Sequence, residues 1–308
     1  VARRFEKAGA EWLGVARIEE AIQLRNSGVT NKILVLGYTP PQRVGDALKN
    51  EIHLTVYDQA VAVEYAAQAR TYNRQLALHV KVETGMGRLG IEPDKTLILL
   101  RFLKNRPEFY VEGLFTHFAR ADEPEAPTTE RQLTIFNKIL AESEKLGLRP
   151  PLIHAANSAA ALNYPQSRFD IVRCGIVLFG IAPSDDTKLP TAIRPVLSWK
   201  TRITSIKTLP AGHGVSYGHK YVTKQAEKIG VIAAGYGDGF RRQNGNYVLI
   251  GGKRVEIVGN VCMDQSMVSL EGLPEAKIGD EVVLIGEQKS IRIRAEDVER
   301  TWNTIPYE

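Results

Sequence analysis

The chain has 308 residues, of which 44% are apolar and 24% charged, so it can bury a large core and is neither disordered nor fibrous. No window approaches the roughly 18 apolar residues that a membrane-spanning helix needs, and the first residues lack the long apolar stretch of a signal peptide. The net charge is +5, but lysine and arginine are scattered among acids, which favours small anionic ligands over nucleic acid.

Cysteine usage indicates the compartment. Cys174 and Cys262 are the only cysteines, too few for a disulfide framework or a zinc site, so we expect a reducing cytoplasm and no metal. The chain also lacks an initial methionine, which suggests a cut inside a longer gene.

The first half alternates short apolar runs with segments of helical spacing. The runs are WLGVA, KILVLGY, IHLTVYD, LALHVKVE, FYVEGLFTHFA, LIHAAN and FDIVRCGIVLFG. They predict seven strands, and the opening VARRFEKAG resembles the end of a helix whose own strand is missing. Seven strand–helix units plus one lost unit predict an α/β fold, a (β/α)₈ TIM-type barrel without its first strand, over residues 1–190.

The sequence pattern changes after about Ser184. A linker rich in Pro, Asp and Thr, SDDTKLPTAIRP, precedes the β-rich runs VLSWKTRITSIKTL, IGVIAAG, YVLIGGKRVEIVG, MVSL and EVVLIG. The Gly251-Gly252 pair between two β-branched runs indicates a hairpin. We therefore expect a second, smaller, all-β domain over residues 191–308.

Functional residues of such a barrel are expected at the carboxyl ends of its strands. The strand from Leu76 to Glu83 places His79, Lys81 and Glu83 on one face and runs directly into TGMGRLG. A strand that is apolar toward its helices and polar toward the barrel axis indicates a site, although a plain Lys81–Glu83 pair is the simpler interpretation.

The segment GMGRLG also matches the dinucleotide fingerprint GxGxxG, with Glu112 as a possible ribose-binding acid. Two features oppose this interpretation. A dinucleotide strand is normally apolar on both faces, and an arginine inside the glycine loop would occupy the space of the pyrophosphate.

Further polar residues follow the later strands of the barrel. In chain order they are His117, Asn157, Ser158, Arg173, Gly175 and Ile176. The Ser158 hydroxyl and neighbouring backbone N–H groups can bind a phosphate, which this fold usually holds after its last two strands. Each residue also has a simpler interpretation: Ser158 as a helix N-cap, His117 as a core histidine and Arg173 as an ion-pair partner.

Several motifs together resemble alanine racemase over essentially the whole chain. They are KVETGMGRLG, EGLFTHFARAD, HAANSAA, FDIVRCGIVLFGIAPS, HGVSYGHKY, GYGDGF, GNVCMDQ and TIPYE. The resemblance implies a pyridoxal 5′-phosphate enzyme that interconverts L- and D-alanine and supplies D-alanine for bacterial peptidoglycan. It also implies a homodimer in which the β domain of each subunit completes the partner's active site.

The resemblance implies a role for each residue that matches a family motif. Arg173 would face the pyridine nitrogen, and the cofactor contacts would be Arg88, Asn157, Ser158, Gly175, Ile176 and Tyr307. Because arginine keeps its protons, the nitrogen would stay unprotonated and the ring would be a moderate electron sink.

The catalytic base and the substrate contacts are implied in the same way. Tyr217 would reach in from the other subunit as the base, with His117 nearby. The substrate would contact Arg88, Met263, Asp264 and Tyr236. Lys81 matches a lysine that is often carbamylated and steadies the neighbouring arginine. The resemblance also implies that Tyr236 and Ile305 form part of the entrance that sets the substrate range.

The resemblance places the Schiff-base lysine, and a tyrosine that contacts the phosphate, on the first barrel strand and its loop. Both positions fall ahead of Val1, and no lysine of the chain replaces the missing one. We therefore expect this exact chain to racemise poorly or not at all.

Two other functions stay open. A cofactor-binding or regulatory protein without catalysis is one, but VSYG and CMDQ supply groups that such a carrier does not need. A decarboxylase of similar architecture is the other, but those enzymes pair the pyridine nitrogen with an acid, and Arg173 opposes that pairing.

Overall fold

The computed structural model describes residues 1–123 and 125–308. The chain divides into two compact units. The amino-terminal unit comprises Val1–Val177 and Ala182–Leu189, and the carboxyl-terminal unit comprises Leu178–Ile181 and Pro190–Glu308.

The amino-terminal unit contains a six-stranded parallel sheet. Its strands are β1 (Trp12–Val15), β2 (Lys32–Val35), β3 (Ile52–Val56), β4 (Leu76–Lys81), β5 (Phe109–Phe115) and β6 (Leu152–His154). Each strand pairs with the next along the chain, so the spatial order equals the sequence order. This is the arrangement expected where each crossover carries a helix, as in a barrel wall.

Helices alternate with these strands. They are α1 (Ala2–Lys7), α2 (Ile18–Asn26), α3 (Val44–Lys49), α4 (Gln59–Arg70), α5 (Thr96–Lys104), α6 (Thr128–Lys145) and α7 (Ser158–Asn163). In α5, Leu99, Leu100 and Leu103 are buried at helical spacing, and burying each leucine contributes about 2 kcal/mol. Helix α1 agrees with the helix end expected at VARRFEKAG.

The seventh predicted strand forms only in part. Ile171 makes an isolated parallel bridge to His154, and the Arg173 amide donates to the Ala156 carbonyl at 2.9 Å. The chain then enters a 3₁₀ helix at Ile176–Phe179, so IVLF is helical rather than extended. The prediction of a full strand over FDIVRCGIVLFG is therefore wrong beyond its first residues.

The carboxyl-terminal unit is built on antiparallel strands. They are β7 (Trp199–Leu209), β8 (Gly214–Val215), β9 (Tyr221–Val222), β10 (Glu227–Ile232), β11 (Tyr247–Ile250), β12 (Lys253–Glu256), β13 (Ser266–Ser269), β14 (Glu281–Gln288) and β15 (Ile291–Ile293). The main sheet has the order β12-β11-β14-β7-β10-β13, β15 pairs with β14, and β8 pairs with β9.

The Gly251-Gly252 hairpin forms as predicted, between β11 and β12. Both glycines have positive φ, the conformation that a two-residue hairpin turn of this twist requires. One helix, α8 (Ala295–Trp302), was not predicted in this unit. Trp302 packs against the apolar core of the sheet, which explains why a helix accompanies the strands.

Within the described residues, we find no helix that combines the length and the apolar character needed to cross a bilayer.

Candidate functional site

The Arg173 side chain is anchored by four polar groups of the amino-terminal unit. Its Nη2 donates to the carbonyl oxygens of Thr116 at 2.7 Å and Ala155 at 2.8 Å. Its Nη1 lies 2.8 Å from Nδ1 of His154, and Nη2 lies 3.2 Å from Nδ1 of His117. These partners come from the ends of two neighbouring strands, β5 and β6, so the guanidinium is fixed where the parallel strands end.

The surroundings of Arg173 keep the nearby imidazoles neutral. Burial, followed by the positive charges of Arg173, Arg88 and Lys81, lowers the pKa of His117 to about 3. The pKa of His154 is lowered by burial and by Arg173. Arg173 has a pKa lowered to about 10 by burial, so its side chain stays charged at neutral pH. The interpretation of Arg173 as an ion-pair partner is not supported, because its bonds go to carbonyls and neutral rings.

Phe115 forms the apolar side of this arrangement. Its ring stacks on His154 with centroids 4.6 Å apart and planes 7° from parallel. The Arg173 guanidinium lies 5.3 Å and the Lys81 Nζ 5.6 Å from the Phe115 centroid, within range of cation–π attraction.

The start of α7 meets the chain after Arg173. The Gly175 amide donates to the Ser158 hydroxyl at 2.9 Å, which brings these two predicted phosphate contacts together. Asn157 is the N-cap: its side chain accepts from the Ala160 amide at 3.0 Å and donates to the Phe118 carbonyl at 3.3 Å. The interpretation of Ser158 as the N-cap is therefore wrong. Ile176 begins a 3₁₀ helix next to Gly175.

Beyond β4, a carboxylate organises the GMGRLG loop. Glu83 accepts from the amides of Gly85 and Met86 at 2.5 Å each and from the Arg88 amide at 3.2 Å. Gly90 has φ +144°, and a Cβ there would lie 2.4 Å from the Glu83 amide nitrogen, so the loop requires glycine at this position. Glu83 thus holds the loop that carries Arg88.

Lys81 is buried on the same strand. Burial is the main cause that lowers its pKa to about 8, followed by Arg88 and Arg173, while Glu83 acts in the opposite direction. The described residues show no Lys81–Glu83 ion pair, so the simple pair expected as an alternative does not form. A buried lysine that loses its proton near neutral pH can act as a nucleophile.

The structure does not support dinucleotide binding. Ile91 bridges back to Val82 directly after GMGRLG, so the loop does not open a helix as the fingerprint requires. Glu112 lies within β5 rather than at its end, and it accepts from Lys32 at 2.5 Å. The role of Glu112 as a ribose acid is therefore wrong.

In the carboxyl-terminal unit, three loops meet. The Asn260 side chain donates to the Tyr217 carbonyl at 2.6 Å, while the amides of Tyr236 and Gly237 donate to the carbonyls of Cys262 and Met263 at 3.0 and 2.7 Å. These bonds bring together the predicted substrate-side residues Tyr217, Tyr236, Met263 and Asp264. The side chain of Tyr217 is 71% exposed, so its phenol is accessible on the surface of the unit.

Tyr307 and Ile305 follow α8 near the end of the chain and are both exposed. The neighbouring Glu308 is held by Arg241 and by the Thr304 hydroxyl. Both residues therefore belong to a segment anchored to the carboxyl-terminal unit.

Sequence reasoning missed His154 and its contact with His79 behind Arg173. His154 lies in β6 and His79 in β4, and their Nε2 and Nδ1 atoms are 2.9 Å apart. The alternation of β4 placed His79 on the face that carries Lys81, but nothing in the sequence connects β4 with β6.

Comparison with known proteins gives matches along the chain. The family model "Alanine racemase, N-terminal domain" matches residues 1–183, and "Alanine racemase, C-terminal domain" matches residues 196–308. An alanine racemase of Symbiobacterium thermophilum is 41% identical over 310 residues, covering 100% of this chain and 82% of the relative.

Solved structures agree. An alanine racemase of Clostridium difficile 630 has a TM-score of 0.93 at 37% identity, covering 99% of this chain and 80% of that one. One from Bacillus anthracis with bound L-Ala-P has a TM-score of 0.93 at 39% identity and the same coverage. The predicted fold class, a TIM-type barrel followed by a β domain, is confirmed.

Proposed function

Because the chain belongs to the alanine racemase family, whose members are pyridoxal-phosphate-dependent isomerases, we propose that its residues form the site at which L- and D-alanine interconvert. The observation that carries this proposal is the anchoring of Arg173 beside the Ser158–Gly175 pair. One fixed cation and one phosphate-binding turn at the same strand ends suit an anionic, ring-shaped cofactor.

Pyridoxal 5′-phosphate, when bound, would withdraw electrons from the amino acid and so acidify its Cα hydrogen. Arg173 fits the pyridine nitrogen because its Nε–H group has no partner among the residues that the structure describes. An arginine donates a hydrogen bond without giving up the proton. This favours racemisation over decarboxylation, for which a carboxylic acid would be the better partner of the ring.

The Ser158 hydroxyl and the amides of Gly175 and Ile176 would bind the phosphate, and Tyr307 is proposed as a further contact. In the structure the Gly175 amide donates to Ser158, so phosphate binding would turn both groups toward a shared anion. Asn157 would act by capping α7 and so fixing the position of Ser158.

Arg88 would hold the ring hydroxyl of the cofactor and the substrate, with Lys81 beside it. The low pKa of Lys81 supplies the neutral amine that reacts with CO₂, and a carbamate there would offset the charges of Arg88 and Arg173. We propose this modification as the means by which Lys81 steadies Arg88.

Racemisation removes a proton from one face of Cα and returns one to the other, so two groups must handle protons. Tyr217 from the second copy of a homodimer is proposed for one face. His117 accepts from Arg173 through Nδ1, so its remaining proton lies on Nε2 and can donate to the Tyr217 phenolate. Met263, Asp264 and Tyr236 would accompany Tyr217, because their loops are joined to its loop.

The second proton-handling group would be the lysine that family resemblance places on a first barrel strand. We propose that none of the lysines in residues 1–308, Lys81 included, is this group. Borohydride reduction with pyridoxal phosphate, followed by peptide mapping, tests this. We expect no single stoichiometric adduct, and a stoichiometric adduct on Lys81 would contradict the assignment.

The proposed function is tested by binding of N-(5′-phosphopyridoxyl)-L-alanine, a stable adduct that needs no lysine. We expect saturable binding to the polypeptide, weakened strongly by Arg173→Met and little by Arg101→Met on the surface of α5. A chimera that carries the first barrel strand of the Symbiobacterium relative ahead of Val1 is expected to convert L- to D-alanine. If Arg173→Met and Arg101→Met bound the adduct equally well, the assignment of Arg173 to the site would be contradicted.

From the cysteine content, we propose that the reaction takes place in the cytoplasm. It would serve as a source of D-alanine for peptidoglycan.

A further inference from the structure

A row of buried rings lies behind Arg173, and the proposed function does not use it. His154 lies between Arg173 and His79: its Nδ1 is 2.8 Å from Arg173 Nη1, and its Nε2 is 2.9 Å from His79 Nδ1. His79 and His154 are 0% and 1% exposed. The geometry therefore forms a continuous path from the guanidinium to the interior of the unit.

The Arg173 guanidinium determines which ring nitrogen carries the proton in each histidine of this path. A guanidinium only donates, so Nδ1 of His154 must accept, and the proton of neutral His154 must be on Nε2. That proton can only be donated to Nδ1 of His79, which must therefore also be unprotonated. The remaining proton of His79 then lies on Nε2. A charged imidazolium at either position would place two N–H groups face to face.

We propose that His79 is a positioning residue for Arg173. Nδ1 of His79 accepts a hydrogen bond from the Nε2–H group of His154, and this keeps Nδ1 of His154 unprotonated. Nδ1 of His154 then accepts from the guanidinium and fixes its position. This rests on the proposed function only in assigning Arg173 to the cofactor ring. The path of hydrogen bonds from Arg173 through His154 to His79, called the relay below, is a property of the chain without cofactor. The neutral state that it requires agrees with the pKa of His79, which burial and nearby positive groups lower to about 3.

The strands around His79 are adapted to its ring. A Cβ at Gly113 would lie 2.1 Å from His79 Nδ1, so only glycine on β5 leaves room for this imidazole. The β4–β5 register shifts between Leu78 and His79, which places His79 opposite Gly113. Phe115 then covers the face of His154. The acceptor atom of His79 is thus held by sterics as well as by its hydrogen bond.

A metal ion is the competing role for this region. His53, His79 and Glu112 each offer a ligand atom within 4.8 Å of the others. His53 Nδ1 and Glu112 Oε2 lie 2.8 Å apart and pair with each other, while His79 Nε2 is buried without a hydrogen-bond partner among the described residues. A metal on Nδ1 of His79 would displace His154, and a metal on Nε2 would force the proton onto Nδ1, against the proton of His154. Lys32, bound to Glu112, adds an unfavourable positive charge. The relay and a metal at His79 therefore exclude each other.

The test is imidazole NMR on the ¹⁵N-histidine-labelled polypeptide without cofactor. We expect His79 and His154 to be neutral with the proton on Nε2 at pH 6 to 8. Replacing Arg173 by leucine frees His154, so the tautomer populations of both histidines should change, whereas Tyr65→Phe, which removes a buried hydrogen bond elsewhere in the unit, should change neither. A proton on Nδ1 of either residue, unchanged His79 signals in Arg173→Leu, or loss of the pattern on adding stoichiometric Zn²⁺ would overturn the proposal.

A second readout is binding of N-(5′-phosphopyridoxyl)-L-alanine. His79→Leu, which has no acceptor, should weaken binding by about tenfold, about what one hydrogen bond contributes. His79→Asn can place its amide oxygen near the position of Nδ1 and should restore most of the loss. Equal weakening in both would mean a merely structural role for His79. If the wild-type chain does not bind the adduct, the proposed function fails, while the tautomer pattern still decides the relay.

Discussion

Lys81 offers the sharpest test of the electrostatics at the site. Its pKa is lowered from 10.5 to about 8, first by burial and then by Arg88 and Arg173. At about 1.4 kcal/mol for each tenfold change in the acidity constant, the drop corresponds to about 3.4 kcal/mol against the charged form in the folded chain. The group should therefore be about half neutral at pH 8.

The assay is an NMR titration of the ¹³Cε signal of lysine, assigned with Lys81→Met. We expect a midpoint near 8 for Lys81, and a partial rise in Arg88→Met, because burial is the larger cause. Between about pH 8 and 10.5 the unfolded chain binds the extra proton, so the free energy of unfolding should rise with pH in that window. Lys81→Met should lose this rise. A midpoint above about 10 would refute the reasoning.

The same neutral amine should react with CO₂. With ¹³C-bicarbonate we expect a carbamate signal that disappears in Lys81→Met and persists in Lys253→Met, a matched change at an exposed lysine. A signal that persists in Lys81→Met would place the carbamate elsewhere.

Three further predictions concern stability and loop geometry. Asn157→Ala should destabilise the chain by about 1 kcal/mol in denaturant unfolding through loss of the α7 cap, with Asn157→Asp retaining most of it; equal losses would refute the capping role. Because the pKa of His79 lies near 3, below the usual 6.5, the free energy of unfolding should fall by up to about 5 kcal/mol as pH drops from 6.5 to 3; a wild-type slope in His79→Asn would contradict this. A Cβ at Gly235 would lie 2.3 Å from the carbonyl oxygens of Cys262 and Met263, so Gly235→Ala should separate these loops and weaken binding of the phosphopyridoxyl adduct. A Cβ at Gly237 has its nearest contact at 3.0 Å, so Gly237→Ala should weaken binding less. The reverse order would count against the loop assignment.

Much of the fold followed from local patterns. Apolar runs of strand length, separated by helical spacing, identify β1 to β6, because a sheet covered by helices must be apolar on the side that faces them. The seventh strand was overestimated, since an equally apolar run, IVLF, folds as a 3₁₀ helix after Gly175. The short strands β8, β9 and β15 carry too few residues for a periodic signal.

The candidate site was predictable where a motif concentrates unusual residues, as at Arg173 and Ser158. The partners of Arg173 were not predictable, because two of them are backbone carbonyls, which any residue would supply. The His79–His154 contact joins residues 75 apart in sequence on strands that do not pair. Only the fold brings such groups together.

The most direct test of the central claim is a crystal structure of the polypeptide with N-(5′-phosphopyridoxyl)-L-alanine. We predict the Arg173 guanidinium at hydrogen-bond distance from the pyridine nitrogen, and the Tyr217 phenol of a second copy on the opposite face of the bound alanine. A pyridine nitrogen that faces a carboxylate, or a Tyr217 remote from the adduct in every pair of copies, would contradict the account.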